Sequence, residues 1–137
     1  MTSRTELERQ VALRAGDRCE YCQMYQSLQG ARFHLEHIVP ISRGGVTELE
    51  NLAWACPGCN LRKSDRVEVV DAQSGAKVHL FHPRSHVWHE HFAWDDYEVV
   101  GQTDIGRVTI AALDLNHPRR VRIRQAEQHF GLFPPAS

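Results

Sequence analysis

Two cysteine pairs, Cys19-x-x-Cys22 and Cys56-x-x-Cys59, constrain this chain more than any other feature. Two thiolates two residues apart can bite one ion from a single tight turn. Two such turns make a closed, tetrahedral four-sulfur site, the coordination that zinc takes. Residues 23–55 lie between the pairs, so a metal held by all four sulfurs would clamp that inserted segment between its halves. The pattern uses every cysteine in the chain,. The other readings are a redox pair and four unrelated buried thiols. A closed four-sulfur site has no open position for a substrate, so the sequence predicts a structural Zn²⁺ at Cys19, Cys22, Cys56 and Cys59 rather than a catalytic one.

At 137 residues and 42% apolar, the chain is expected to form one domain, residues 1–137, with a core small enough to profit from a metal staple,. No apolar run approaches the length of a membrane span, and "MTSRTELERQ" has no apolar signal segment,. The expectation is a cytoplasmic protein with no membrane contact, where four cysteines do not read as two disulfides. The net charge of -1 does not announce a nucleic-acid binder,. Its distribution is uneven, because "NHPRRVRIR" carries four arginines without an acid and "EHFAWDDYE" carries four acids without a base. The basic run reads either as a row lying along phosphates or as a solvated helix face.

Capping-box spacing at Ser3/Glu6 and Thr5/Glu8 predicts a first helix with Leu7, Val11 and Ala15 on one face, stopped at Gly16-Asp17,. "ARFHLEHIVP" predicts a short strand ended by Pro40, and "NLAWAC" a second apolar run,. A short helix is expected from near Asn60, and a strand over 67–70. Beyond it, strands are expected after Ser74-Gly75 and in "YEVVG". Two helices follow, one with Ile105, Val108, Ala112 and Leu115 on a face and one from Pro118 to about Phe130,. "HPRSHVWHEHFAW" shows no clean period; its histidines are expected to pack with Trp88, Phe92 and Trp94 rather than to form a second metal site.

Between and around the knuckles stand Glu36-His37-Ile38, Pro40, Ser42, Gly44-Gly45, Asn51-Leu52, Asn60 directly after Cys59, and Lys63. In this order they closely resemble the HNH endonucleases with a zinc-stapled ββα-metal fold. The resemblance covers residues 19–63, and the later part of the chain is similar to the C-terminal extension of small stand-alone bacterial HNH proteins. It implies an α+β fold: a ββα-metal (His-Me finger) core at 17–66 clamped by a four-cysteine zinc site, an N-terminal helix, and a strand/helix extension at 67–137.

The resemblance also implies roles. His37 would be the general base, since a neutral imidazole can take a proton from water at neutral pH. Glu36 and Asn60 would hold a divalent ion, Mg²⁺ or Mn²⁺, to which a carboxylate and an amide oxygen are suited. Most members of that family carry aspartate at the Glu36 position, so the side chain here is one methylene longer. Asn51 would brace the loop that orients His37. Arg43, Arg62 and Lys63 could contact phosphate or be solvated surface residues. Adjacent strand residues face opposite ways, so Glu36 and His37 can share a phosphate only where the backbone bends. The implied activity is metal-dependent hydrolysis of DNA phosphodiester bonds, with double-stranded DNA as the partner and a monomer or homodimer as the acting unit. The alternative is a non-catalytic zinc module that binds nucleic acid or a protein partner.

Overall fold

The computed structural model describes residues 2–28 and 30–136. Helix α1 spans Arg4–Arg14 and is capped by Ser3, whose hydroxyl accepts from Glu6 N at 3.1 Å. Only half of the expected capping box forms. The Glu6 carboxylate turns outward to Arg9 and Gln10 instead of back to the cap, and Thr5 lies inside the helix. Val11 is the buried anchor of α1, with Leu7, Ala12 and Ala15 packed beside it.

Strands β1 (His34–His37) and β2 (Leu52–Ala55) pair antiparallel, with His34 opposite Ala55 and His37 opposite Leu52. All of β2 is buried, because α1 packs on the hairpin and the first cysteine turn pairs with its edge. Glu20 N donates to Trp54 O at 2.8 Å, and Trp54 N donates to the Glu20 carboxylate at 2.8 Å. Helix α2 (Pro57–Lys63) follows β2 at once and completes a ββα unit. It begins three residues earlier than the expected start near Asn60. Cys56 is the N-cap, accepting from Cys59 N, and Pro57 takes the first helical position, where its missing N–H costs nothing,.

Among its described residues the extension forms two antiparallel hairpins and three helices. Strands β3 (Glu68–Val70) and β4 (Lys77–His79) pair around the Ser74-Gly75 turn. The stretch without a period resolves into a single helical turn, α3 (Trp88–His91), and strand β5 (Phe92–Asp95), which pairs with β6 (Glu98–Gly101). A period cannot show in elements four residues long. Helix α4 (Asp104–Leu113) ends at Asp114 in the left-handed conformation, before the expected stop at Asn116. Helix α5 (Pro118–His129) has the expected N-terminus, and Gly131 follows it.

One apolar cluster runs through core and extension: it joins the four cysteines, Tyr21, Phe33 and Trp54 to Phe81, Trp88, Phe92 and Leu113. Trp88 stacks 4.9 Å from Phe92 and 5.1 Å from Trp94, and its indole N–H donates to Tyr21 O at 2.9 Å. His86 and His91 pack at 5.0 Å from one another and around Phe81. The extension is thus fastened to the first cysteine turn by a buried indole rather than set beside it.

Candidate active site and metal centre

The cysteine turns meet. The four sulfurs all lie within 4.8 Å of one another, all four residues are buried, and none forms a disulfide. Cys22 Sγ and Cys56 Sγ are 3.7 Å apart. Four sulfurs at ~2.3 Å around one tetrahedral zinc would be about 3.8 Å apart, so the cage has the right size. Backbone N–H groups of Cys22 and Cys59 donate to the sulfurs of Cys19 and Cys56, as a thiolate acceptor needs. Burial pushes the Cys19 and Cys22 thiols up, while hydrogen bonds from the neighbouring thiols hold Cys56 far below the ordinary thiol value. A cation at the centre resolves that conflict by accepting all four as thiolates. Among the described residues no other group of histidines, cysteines and carboxylates converges in this way.

Asn51 sits at the turn into β2, 8% exposed, and serves three backbone groups. Its Oδ1 accepts from Val39 N at 2.9 Å, and its Nδ2 donates to Val39 O and Val46 O, each at 2.9 Å. Its own carbonyl accepts from Ile38 N. The segment after His37 is therefore tied down at both ends. Gly45 is required here, since a Cβ would fall 1.8 Å from Val39 O and 2.9 Å from the Asn51 amide.

β1 stays regular through His37, and the chain bends only at Ile38. Glu36 and His37 therefore leave opposite faces, with no bend between them. The His37 ring reaches Thr47 Oγ1 at 2.9 Å, and burial, then Arg4, lowers its pKa below the ordinary value. The imidazole is thus neutral near pH 7, as a base requires.

Glu36 is not the open ligand that the sequence suggests. It is 5% exposed, and Lys63 Nζ lies 2.9 Å from its carboxylate. The Tyr21 hydroxyl lies 3.1 and 2.9 Å from its two oxygens. Burial raises the Glu36 pKa, and Lys63 and Tyr21 oppose the rise. Lys63, read from the sequence as a phosphate contact or a solvated surface residue, is instead buried to 1% exposure and also donates to Ile38 O at 2.8 Å. Arg43 Nε donates to Asp65 O at 2.8 Å at the surface. Arg62 lies 3.8 Å from Asp114, on a different face of α2 from Asn60. Asn60 is partly buried, and among the described residues its side chain has no hydrogen-bond partner.

For a divalent ion, the donor set is one carboxylate and one free amide oxygen. A carboxylate has about four lone-pair positions. Tyr21 and Lys63 leave room for a further ligand, so the chemistry fits a hard cation that keeps several waters. Nothing in the sequence marks Tyr21 or Thr47 as part of the site. Tyr21 occupies a spacer position between two cysteines, and Thr47 is one polar residue in a polar loop.

Residues 19–66 match the family described as HNH endonuclease. The match spans both cysteine turns, the β1–β2 hairpin and α2, which together form a ββα unit in an α+β structure. No curated protein and no solved structure matches the chain. No helix among the described residues is long and apolar enough to cross a membrane.

Proposed function

We propose that the protein is a metal-dependent HNH endonuclease that hydrolyses DNA phosphodiester bonds, acting as one domain with a core at 17–66 and an extension at 67–137. The observation that carries this reading is the arrangement of His37, Asn51 and Asn60 on one ββα unit within the matched segment. Zn²⁺ at the four cysteines is structural: it holds the first turn against α2 and so fixes the hairpin between them.

His37, neutral and held by Thr47, takes a proton from a water placed for in-line attack on phosphorus. Asn51 keeps the bend after His37 in one conformation, which keeps the ring aimed. Glu36 and Asn60 would hold the Mg²⁺ or Mn²⁺, which requires β1 to bend between Glu36 and His37 when phosphate is bound, because the regular strand sends the two side chains to opposite faces,. When bound, that ion supplies charge neutralisation at the phosphate and at the leaving 3′ oxygen. Lys63 supports Glu36 from within rather than touching phosphate, and Tyr21 orients the carboxylate. Arg43 and Arg62 remain candidates for phosphate contact. DNA, taken as a duplex, is the substrate, and a single ββα unit would nick one strand.

A second reading has a specific observation in its favour. The Glu36 carboxylate is neutralised by Lys63 and bonded by Tyr21, which is the arrangement of a structural ion pair. On that reading the protein is a zinc module that binds nucleic acid or a protein partner without cutting. Incubating the purified protein with supercoiled plasmid and Mg²⁺ or Mn²⁺ separates the two. The nuclease reading expects nicks bearing 3′-hydroxyl and 5′-phosphate ends that religate. Binding with no nick under either ion supports the module.

A further inference from the structure

The arginines of α5 do not behave as the sequence suggests. Arg120 and Arg124 are 5% and 0% exposed, so they form neither a phosphate row nor a solvated face. Arg124 is used inside the extension: it donates to Tyr97 O at 2.8 Å and Leu115 O at 2.7 Å and lies over the Trp94 ring. Arg120, one turn earlier on the same face, reaches the cage directly. Its Nη1 donates to Cys59 Sγ at 3.1 Å in the buried wall of the sulfur cage. Its Nη2 has no hydrogen-bond partner among the described residues.

A buried guanidinium is costly unless a charge faces it. Four thiolates around one Zn²⁺ leave about two negative charges in excess, enough to answer it. Gly58, the second spacer residue between Cys56 and Cys59, makes room. A Cβ there would stand 2.8 Å from Arg120 Nη2 and 3.2 Å from Arg62 Nη1.

The same helix reaches the other cysteine turn. The Glu127 carboxylate accepts from Tyr25 N at 2.7 Å, just beyond Cys22. Arg18, just before Cys19, donates to Leu132 O at 2.6 Å, just past the end of α5. The helix therefore bridges both halves of the metal cage.

We infer that Arg120 is an outer-sphere positioning residue of the zinc site, and that zinc binding and the docking of α5 form one coupled unit. This rests on the zinc reading above. The loaded four-sulfur cage supplies the negative charge that Arg120 faces, and Arg120 donates to the Cys59 sulfur in return. By linkage each strengthens the other equally. The extension is then held in place by the metal occupancy of a site more than 60 residues away in sequence.

The test compares wild type, Arg120→Met, Arg120→Lys and the exposed neighbour Arg119→Met, with zinc affinity read by competition against a chromophoric chelator. Arg120→Met should lose roughly 10–100-fold in zinc affinity, the range for lost outer-shell partners. Arg120→Lys should recover part of it, and Arg119→Met should match wild type. In the Co²⁺-substituted protein, the thiolate-to-metal charge-transfer band of Arg120→Met should move to lower energy, because one thiolate has lost a donor. A merely structural arginine would not move it. Should Arg120→Met fail to fold, Gly58→Ala displaces Arg120 while keeping it, and should weaken zinc binding as well.

Amide exchange on wild type needs no variant: stripping zinc should raise exchange across α5 together with both cysteine turns. Equal zinc affinity and an unshifted band in a folded Arg120→Met overturn the inference, as does α5 protection that survives zinc removal. A wild type that holds no zinc overturns the zinc reading and this inference together. A wild type that holds zinc while Arg120→Met holds it equally overturns the inference alone.

Discussion

Replacing Lys63 by Met is the most informative single perturbation of the core. Lys63 Nζ makes two short contacts in a site closed to solvent, one to Glu36 and one to Ile38 O. Methionine fills much of the same volume, so the loss of packing is small. What remains is a buried carboxylate without its cation and a carbonyl without its donor. Removing one partner of a buried pair costs about 3–5 kcal/mol, several-fold more than an exposed pair. The assay is urea denaturation of the zinc-loaded protein at pH 7, without added Mg²⁺. The sign with pH is fixed by the raised Glu36 pKa. A group whose folded pKa lies above its unfolded value favours the fold below the unfolded pKa and loses that contribution as pH rises through the folded pKa. Without Lys63 the Glu36 pKa rises further, so the deficit of Lys63→Met should shrink between pH 7 and pH 5. The double variant Glu36→Gln/Lys63→Met should be more stable than the sum of the single changes predicts. A loss under about 1 kcal/mol with no pH dependence would refute the claim that this pair is buried and ionised.

Four further outcomes follow from the site. Asn51→Ala strands Val39 N, Val39 O and Val46 O and should destabilise the protein by about 2–4 kcal/mol in the same denaturation assay. Thr47→Val should lower kcat while leaving zinc content unchanged, as read by nicking kinetics and metal analysis. The pH–rate profile of kcat/KM should be flat above the His37 pKa and fall about tenfold per pH unit below it. Burial and Arg4 lower that pKa, so the limb should lie below 6.5,. Zinc-loaded protein should resist thiol alkylation at all four cysteines, and a chelator should expose them together with loss of the folded core, as monitored by mass spectrometry and circular dichroism.

The parts of the protein visible in its sequence are those where one residue type has few uses. Four cysteines in two close pairs leave little besides a metal cage, and Pro118 and Gly131 bracket α5 because each has a strong positional preference,. Asn51 was readable by resemblance, and its three backbone bonds are the kind of contact a loop brace needs. Less visible were features that depend on where chains meet. The paired state of Glu36 depends on Tyr21 and Lys63, residues 15 and 27 positions away, and no spacing encodes that meeting. The arginine run illustrates the same limit. Its composition suggests a surface, yet Arg120 and Arg124, one helical turn apart, are buried because α5 lies across the cage. The short elements α3 and β5 escaped because four residues hold barely one turn or two alternations.

The claim that His37 performs the chemistry is tested most directly by nicking of supercoiled plasmid with Mg²⁺ or Mn²⁺, wild type against His37→Ala, with bound zinc measured in both. Wild type should nick, and the variant should keep its zinc while losing at least about 100-fold in rate. A zinc-loaded His37→Ala that nicks as fast as wild type would contradict it.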